Sequence, residues 1–264
     1  MQEIDAGEVV QLLMEARAKR TPAEAPGLLS GGISADTAYA VQRLHCDAIL
    51  ARHGGTLIGT KLGGGNMAAM AALGLTGPFR GPIFSAFMHD SPARLRREDF
   101  LVCIVEAEVG LLINRDLGGH PYMLPRDALE SAIEAVIPSI EIADARLVDF
   151  ARRPAAAILA DLAYAGAWVR GAAVTDWAGV DWRTLEVRLL SNGSQVRSAT
   201  GSLALGDPLQ ALSVMVADLG HSGEKLKAGQ VVSTGTYTMP YLASAGETIV
   251  ADFGALGKVE VVLD

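Results

Sequence analysis

Glu106 and Glu108 are separated by a single alanine in the run Ile104-Val105-Glu106-Ala107-Glu108-Val109, and Glu141 stands in a second apolar run, Ser139-Ile140-Glu141-Ile142. Carboxylates two residues apart on an extended chain share one face, with Cα atoms roughly 7 Å apart, close enough to converge on one ion. Val105, Ala107 and Val109 then fall on the opposite face and suit a core. The same alternation also describes a half-buried strand with a wet outer face. Glu141 favours the ion, because three unpaired carboxylates beside an apolar interior are costly without a cation.

The second chemical feature is Gly59-Thr60-Lys61-Leu62-Gly63-Gly64-Gly65-Asn66. Its lysine precedes the glycines, so it is not a Walker loop, and it is not GxGxxG in a βαβ unit. A lysine at the end of an apolar strand, flanked by glycines that let a ligand approach the backbone, can serve as acid or base or hold an anion; the same residues also describe a surface lysine beside a flexible turn. Asn66 is placed to cap a short helix and leave N–H groups for a carboxylate. Asp161, isolated among apolar residues, is read as a buried functional acid in preference to a helix cap. Asp144 and Arg146 follow Glu141 closely enough to steer its carboxylate or to form a plain surface ion pair. Gly235 and Thr236 offer backbone and hydroxyl donors to a ligand.

Several chemistries are excluded. The five histidines show no HxH or HExxH spacing and no pairing with cysteine, which argues against zinc. No GxSxG elbow is present, and Ser222 lacks a strand-to-helix context. A net charge of −8 and the absence of a basic stripe argue against nucleic acid. Two cysteines make no disulfide framework, and the first residues carry Glu3, Asp5 and Glu8 in place of a basic, apolar leader, so a reduced cytoplasmic setting is expected. The most apolar stretch, Ala155 to Val169, is interrupted by Asp161 and is too short to span a bilayer.

The elements that must position these residues divide the chain. Residues 1–77 read as a helical N-terminal region: a helix capped by Asp5 with Val9, Leu12, Leu13 and Ala16 on one face, a second from Ser34 or Asp36 to Gly54 with Val41, Leu44 and Ala48 on its stripe, and a third from Asn66 to Gly74. Between the last two, Thr56 to Lys61 reads as a strand. Residues 78–264 read as a β-rich core, with strands at 100–113, 139–143, 185–190, 196–199, 231–233, 248–253 and 259–263 and a hairpin turn at Asn192-Gly193. Helices are expected over Pro125–Val136 and Pro208–Leu219, the latter capped by Asp207 and closed by Gly220. Strands and helices do not alternate regularly, so the expectation is an α+β fold: a small helical N-terminal part packed on a mixed, mainly β, barrel-like core.

Gly59-x-Lys61-x-Gly63, Glu106-x-Glu108 followed by Gly110-Leu111-Leu112-Ile113-Asn114-Arg115-Asp116-Leu117, Pro138-x-x-Glu141 and Leu256-Gly257-x-Val259 together resemble the fumarylacetoacetate hydrolase superfamily, in particular its 2-keto-4-pentenoate hydratase and 4-oxalocrotonate decarboxylase branch. The resemblance runs from about residue 40 to the C-terminus. It implies Mg²⁺ or Mn²⁺ on Glu106, Glu108 and Glu141, leaving three octahedral positions for a bidentate 2-oxo acid and a water. It further implies Lys61 as the proton carrier, a small 2-oxo or 2-hydroxydienoic acid as substrate, and a homo-oligomer. Hydration of a 2-hydroxy-2,4-dienoate is preferred; decarboxylation uses the same parts, and acylpyruvate hydrolysis would call for a histidine such as His89 or His120 at the metal. Gly65 and Leu162 stand where hydratases of this type carry Ser or Thr and Asn, which leaves the substrate's identity open and admits a non-catalytic relative as a further reading.

Overall fold

The chain is seen in a computed structural model that describes residues 5–29, 33–64, 78–201 and 205–264. Helix α1 (Ala6–Lys19) begins where the Asp5 side chain accepts from the Gly7 and Glu8 N–H groups. After the short α2 (Pro26–Leu29), helix α3 (Ala35–His53) is capped by Ser34 and closed by Gly54. Val9, Val10 and Leu13 of α1 bury against Val41 of α3, with Ala157 and Ala160 supplied from far along the chain. The buried stripe of α3 runs through Ala38, Val41, Cys46 and Ile49, so Leu44 is exposed, contrary to the periodicity reading. The helix expected from Asn66 to Gly74 lies outside the described residues, as does Gly65.

The strands in order are β1 (Leu57–Gly63), β2 (Phe79–Phe84), β3 (Met88–Asp90), β4 (Ala93–Leu95), β5 (Ile104–Ile113), β6 (Leu117–Gly118), β7 (Ile133–Ala143), β8 (Ala165–Arg170), β9 (Glu186–Ser191), β10 (Ser194–Thr200), β11 (Lys225–Leu226), β12 (Val231–Thr236), β13 (Tyr241–Leu242), β14 (Glu247–Asp252) and β15 (Lys258–Leu263). The larger sheet has the order β2-β1-β12-β5-β7-β8-β3, with β13 beside β5, and curls as half a barrel. A second sheet has the order β10-β9-β14-β15-β4. Parallel pairings of β1 with β12 and β3 with β8 make the larger sheet mixed, as an α+β class predicts. Strand β1 lies inside this sheet, although it comes from the first 77 residues. The two sheets enclose the main core, to which β5 contributes Val105, Ala107, Val109, Leu111 and Ile113, all fully buried.

Two of the expected helices change. The signals at Pro125 produce only α4 (Arg126–Glu130), and the chain is extended from Ile133, because β5 offers a full ladder in which Leu111 faces Val136 and Leu112 faces Ala135. Tertiary pairing here overrides a good local helix start. Helix α6 (Pro208–His221), capped by Asp207, runs through Gly220; that glycine serves close packing, since a Cβ there would lie 1.9 Å from the His120 carbonyl oxygen. Periodicity did not single out α5 (Ala155–Ala160) or β8, which share one apolar stretch interrupted only by Asp161. Cys46 and Cys103 are free, buried thiols. Among the described residues no helix is long and apolar enough to cross a membrane.

Candidate metal centre

Strand register assembles the site. Glu106 pairs directly with Glu141 across β5 and β7, and Glu108 pairs with Ser139. On the other flank of β5, Gly110 pairs with Ser233 of β12, which in turn pairs with Lys61 of β1. Directly opposed residues point to the same face, so Lys61, Ser233, Glu106, Glu108, Ser139 and Glu141 share the face opposite the main core. The three carboxylates offer ligand atoms that all lie within 4.8 Å of one another. Glu108 and Glu141 are buried and Glu106 is half-buried.

Charge in this group is not neutralised by the protein. Lys61 is buried and donates to Glu141 Oε1, forming an ion pair. Burial alone would push the ammonium's pKa down, but the fields of Glu141 and Glu106, the bond to Glu141 and the field of Glu108 outweigh it and hold Lys61 above its usual value. One lysine therefore faces three carboxylates. Burial, then repulsion from Glu141, raises Glu106 to about 7 in spite of Lys61, and burial with repulsion from Glu141 and Glu106 raises Glu108 well above the usual carboxylate range, against the hydroxyl that Ser233 donates to it. Glu141 is raised by burial more than Lys61 lowers it. Such a set is suited to a hard divalent cation: all donors are oxygens, converge on one point, and carry charge that a dication would offset.

The glycines around Lys61 serve packing. A Cβ on Gly59 would lie 2.0 Å from the Val231 carbonyl oxygen, and the space above Gly63 is filled by the Phe79 ring, 2.3 Å from such an atom. Gly235 adopts a left-handed φ of 91° where β12 bulges, which brings Thr236 opposite Glu108; the Thr236 hydroxyl donates to the Thr238 carbonyl. Asn66 lies outside the described residues. Asp161 stands apart from the carboxylate cluster: fully buried, it accepts from the backbone N–H of Arg146 at 2.7 Å and from its Nε at 2.6 Å. Arg146 and Asp144 belong to this second cluster, with Asp144 3.9 Å from the guanidinium, so neither steers Glu141. His89 lines an adjoining cleft of about 360 Å³ with Arg17 and His53, which shares Phe87, Gly166 and Ala167 with the cavity of Lys61 and Glu141, and His120 stacks on Tyr122.

Sequence reasoning passed over Ser233, Ser139 and Trp168. Trp168 pairs with Glu141 in the β7–β8 ladder and shares a small cavity with Lys61, Glu141 and the apolar residues Ile83, Phe84 and Phe87. Nothing local to these residues marks them; only the pairing of strands distant in sequence does.

Residues 79–263 match the family model for the fumarylacetoacetate hydrolase C-terminal domain, and the chain belongs to that family. Among curated relatives it is 30% identical over 229 residues to 2-keto-4-pentenoate hydratase 2 of Dechloromonas aromatica, covering 86% of this chain and 85% of that one. It is 28% identical over 206 residues to a 4-oxalocrotonate decarboxylase of Pseudomonas putida, covering 78% and 77%. In three dimensions it superposes along the full length of both chains, with a TM-score of 0.90 and 24% identity, on the 4-oxalocrotonate decarboxylase of Pseudomonas putida G7 complexed with magnesium and adipate.

Proposed function

We propose that this chain is a divalent-metal-dependent lyase that hydrates a 2-hydroxy-2,4-dienoate of the 2-keto-4-pentenoate type to a 4-hydroxy-2-oxo acid. The observation that carries the reading is the convergence of Glu106, Glu108 and Glu141 within 4.8 Å on a buried face that also holds Lys61. These carboxylates hold the ion, Mg²⁺ or Mn²⁺, and the lysine works beside it. A bound dication supplies Lewis acidity toward the carboxylate and 2-oxygen of a 2-oxo acid. Lys61, kept protonated by its carboxylate neighbours, is positioned to deliver a proton as general acid and to recover it as base. Ser233 orients Glu108 through its hydroxyl. The apolar wall formed by Ile83, Phe84, Phe87 and Trp168 keeps bulk water from this side of the centre. Asp161 has a structural role in this scheme, because its carboxylate is engaged by Arg146.

Decarboxylation of a 4-oxalocrotonate-type acid is the second reading, supported by relatives of both names at nearly equal identity. Hydrolysis of an acylpyruvate is less favoured, since neither His89 nor His120 lines the cavity of Lys61 and Glu141. The test follows the ultraviolet absorbance of 2-hydroxypenta-2,4-dienoate and of 4-oxalocrotonate with Mg²⁺, with EDTA, and with the Glu106→Ala variant. Consumption of the dienoate that EDTA and the variant abolish is the expected result. Turnover that survives both would sink the mechanism, and consumption of 4-oxalocrotonate alone would establish the decarboxylase.

A further inference from the structure

Among the described residues, Trp168 carries a buried donor with no acceptor. The residue is 4% exposed, and its indole N–H has no acceptor among the described residues. The position makes this unusual. Trp168 is the direct cross-strand neighbour of Glu141, on the face that holds Glu106 and Glu108, so a strong donor stands beside three carboxylates and bonds to none of them. The ring leans across the sheet toward β5, where a Cβ on Gly110 would lie 3.0 Å from Cζ2, two bonds from the indole nitrogen. Gly110 is opposite Ser233, whose hydroxyl serves Glu108. The absence of a side chain at Gly110 thus leaves room for the Cζ2 edge of the indole on the face that carries the carboxylates. An unsatisfied buried N–H costs free energy that a neutral apolar ring would avoid. An acceptor arriving from outside removes that cost.

We propose that the Trp168 indole N–H binds the carboxylate of the incoming 2-oxo acid, donating to its free oxygen while the other oxygen and the 2-oxygen face the metal ligands. This rests on the 2-oxo acid reading given above and adds the residue that recognises the acid's head. The chemistry is matched: a chelating 2-oxo carboxylate has one oxygen left over, and in a site lined by Ile83, Phe84 and Phe87 that oxygen needs a donor. Lys61, the other donor lining the cavity, is engaged by Glu141.

The experiment uses protein labelled with ¹⁵N at tryptophan, and oxalate as an unreactive mimic of the 2-oxo acid head. The three tryptophans give a built-in reference, since Trp177 and Trp182 neighbour each other in the main core, away from this face. With Mg²⁺ present, oxalate is expected to move the Trp168 indole resonance downfield and to leave the other two in place. Trp168→Phe is expected to weaken oxalate about tenfold, the loss of one hydrogen bond to a charged group, without changing Mg²⁺ affinity. Should that variant not fold, Trp177→Phe and Trp182→Phe assign the resonances by elimination and the wild-type titration decides. Magnesium-dependent oxalate binding that leaves the Trp168 resonance unmoved overturns this assignment and spares the functional reading. Failure of Mg²⁺ itself to bind overturns both.

Discussion

Asp161→Asn separates a structural acid from a catalytic one. Both members of the Asp161–Arg146 pair are fully buried, and the substitution removes the acceptors of the Nε bond at 2.6 Å and of the backbone N–H bond at 2.7 Å, or weakens them to one neutral amide oxygen. Two guanidinium bonds survive, to the Asp161 carbonyl at 2.5 Å and to the Ala165 carbonyl at 2.8 Å. Burial pushes the Asp161 carboxyl up to about 6 even with Arg146 against it, so ionising the pair is itself costly. The penalty of the variant comes from Arg146, left charged with only Asp144, 3.9 Å away, to answer it. Removing one partner of a buried pair costs about 3–5 kcal/mol, which for a chain of this length lowers Tm by about 6–10 °C. The measurement is thermal unfolding at pH 8, where Asp161 is ionised, alongside turnover well below Tm. Asp161→Asn should lose stability and keep kcat within about fivefold, since the group does not touch the reacting atoms. The double variant Asp161→Leu with Arg146→Met should recover much of the lost Tm, because no charge is then stranded. An unchanged Tm with a hundredfold fall in kcat would refute the reasoning and return Asp161 to the reaction.

Three further outcomes follow from the geometry. Ser233→Ala removes the hydroxyl that Glu108 accepts, so Mg²⁺ affinity measured by calorimetry should fall about tenfold while kcat at saturating Mg²⁺ holds; an unaltered affinity would show that Ser233 does not orient the ligand. Gly59→Ala forces a Cβ to 2.0 Å from the Val231 carbonyl oxygen, backbone that cannot rotate away, and should lower Tm by about 2–6 °C; a tolerated alanine would mean that β1 and β12 are less tightly apposed than described. His45 is fully buried, and burial together with Arg146 and Arg17, against its bond to the Ala160 carbonyl, lowers its pKa from 6.5 to about 3. Between those values the unfolded chain takes a proton that the folded chain refuses, so stability falls as pH drops below 6.5, by about 2 kcal/mol at pH 5. His45→Gln should narrow the Tm difference between pH 7.5 and pH 5, and an equal difference in both proteins would contradict this account.

The alternation that places Glu106 and Glu108 on one face needs no tertiary information, because strand geometry has a period of two and the intervening Val105, Ala107 and Val109 declare the core side. The caps of α1, α3 and α6 are local for the same reason: Asp5, Ser34 and Asp207 satisfy N–H groups two or three residues away. The apolar setting of Glu141 pointed to it as a third ligand from the sequence itself, and family resemblance then joined Lys61 to the set. What local pattern could not supply is register. Glu141 meets Glu106 because β7 extends back to Ile133, in a segment whose own residues favour a helix. Ser233 and Trp168 enter the site through pairings that close loops of more than a hundred residues to β5 or run through β7. Asp161 looks functional in one dimension because an acid in an apolar run asks for an explanation; the explanation is Arg146, fifteen residues earlier and folded against it. Sequence alone determines which residues can carry charge and which face they share, since those depend on neighbours along the chain. Only the tertiary structure decides which charges meet, since the energy of a buried carboxylate or guanidinium is set by the groups that strand pairing and packing bring within a few ångströms.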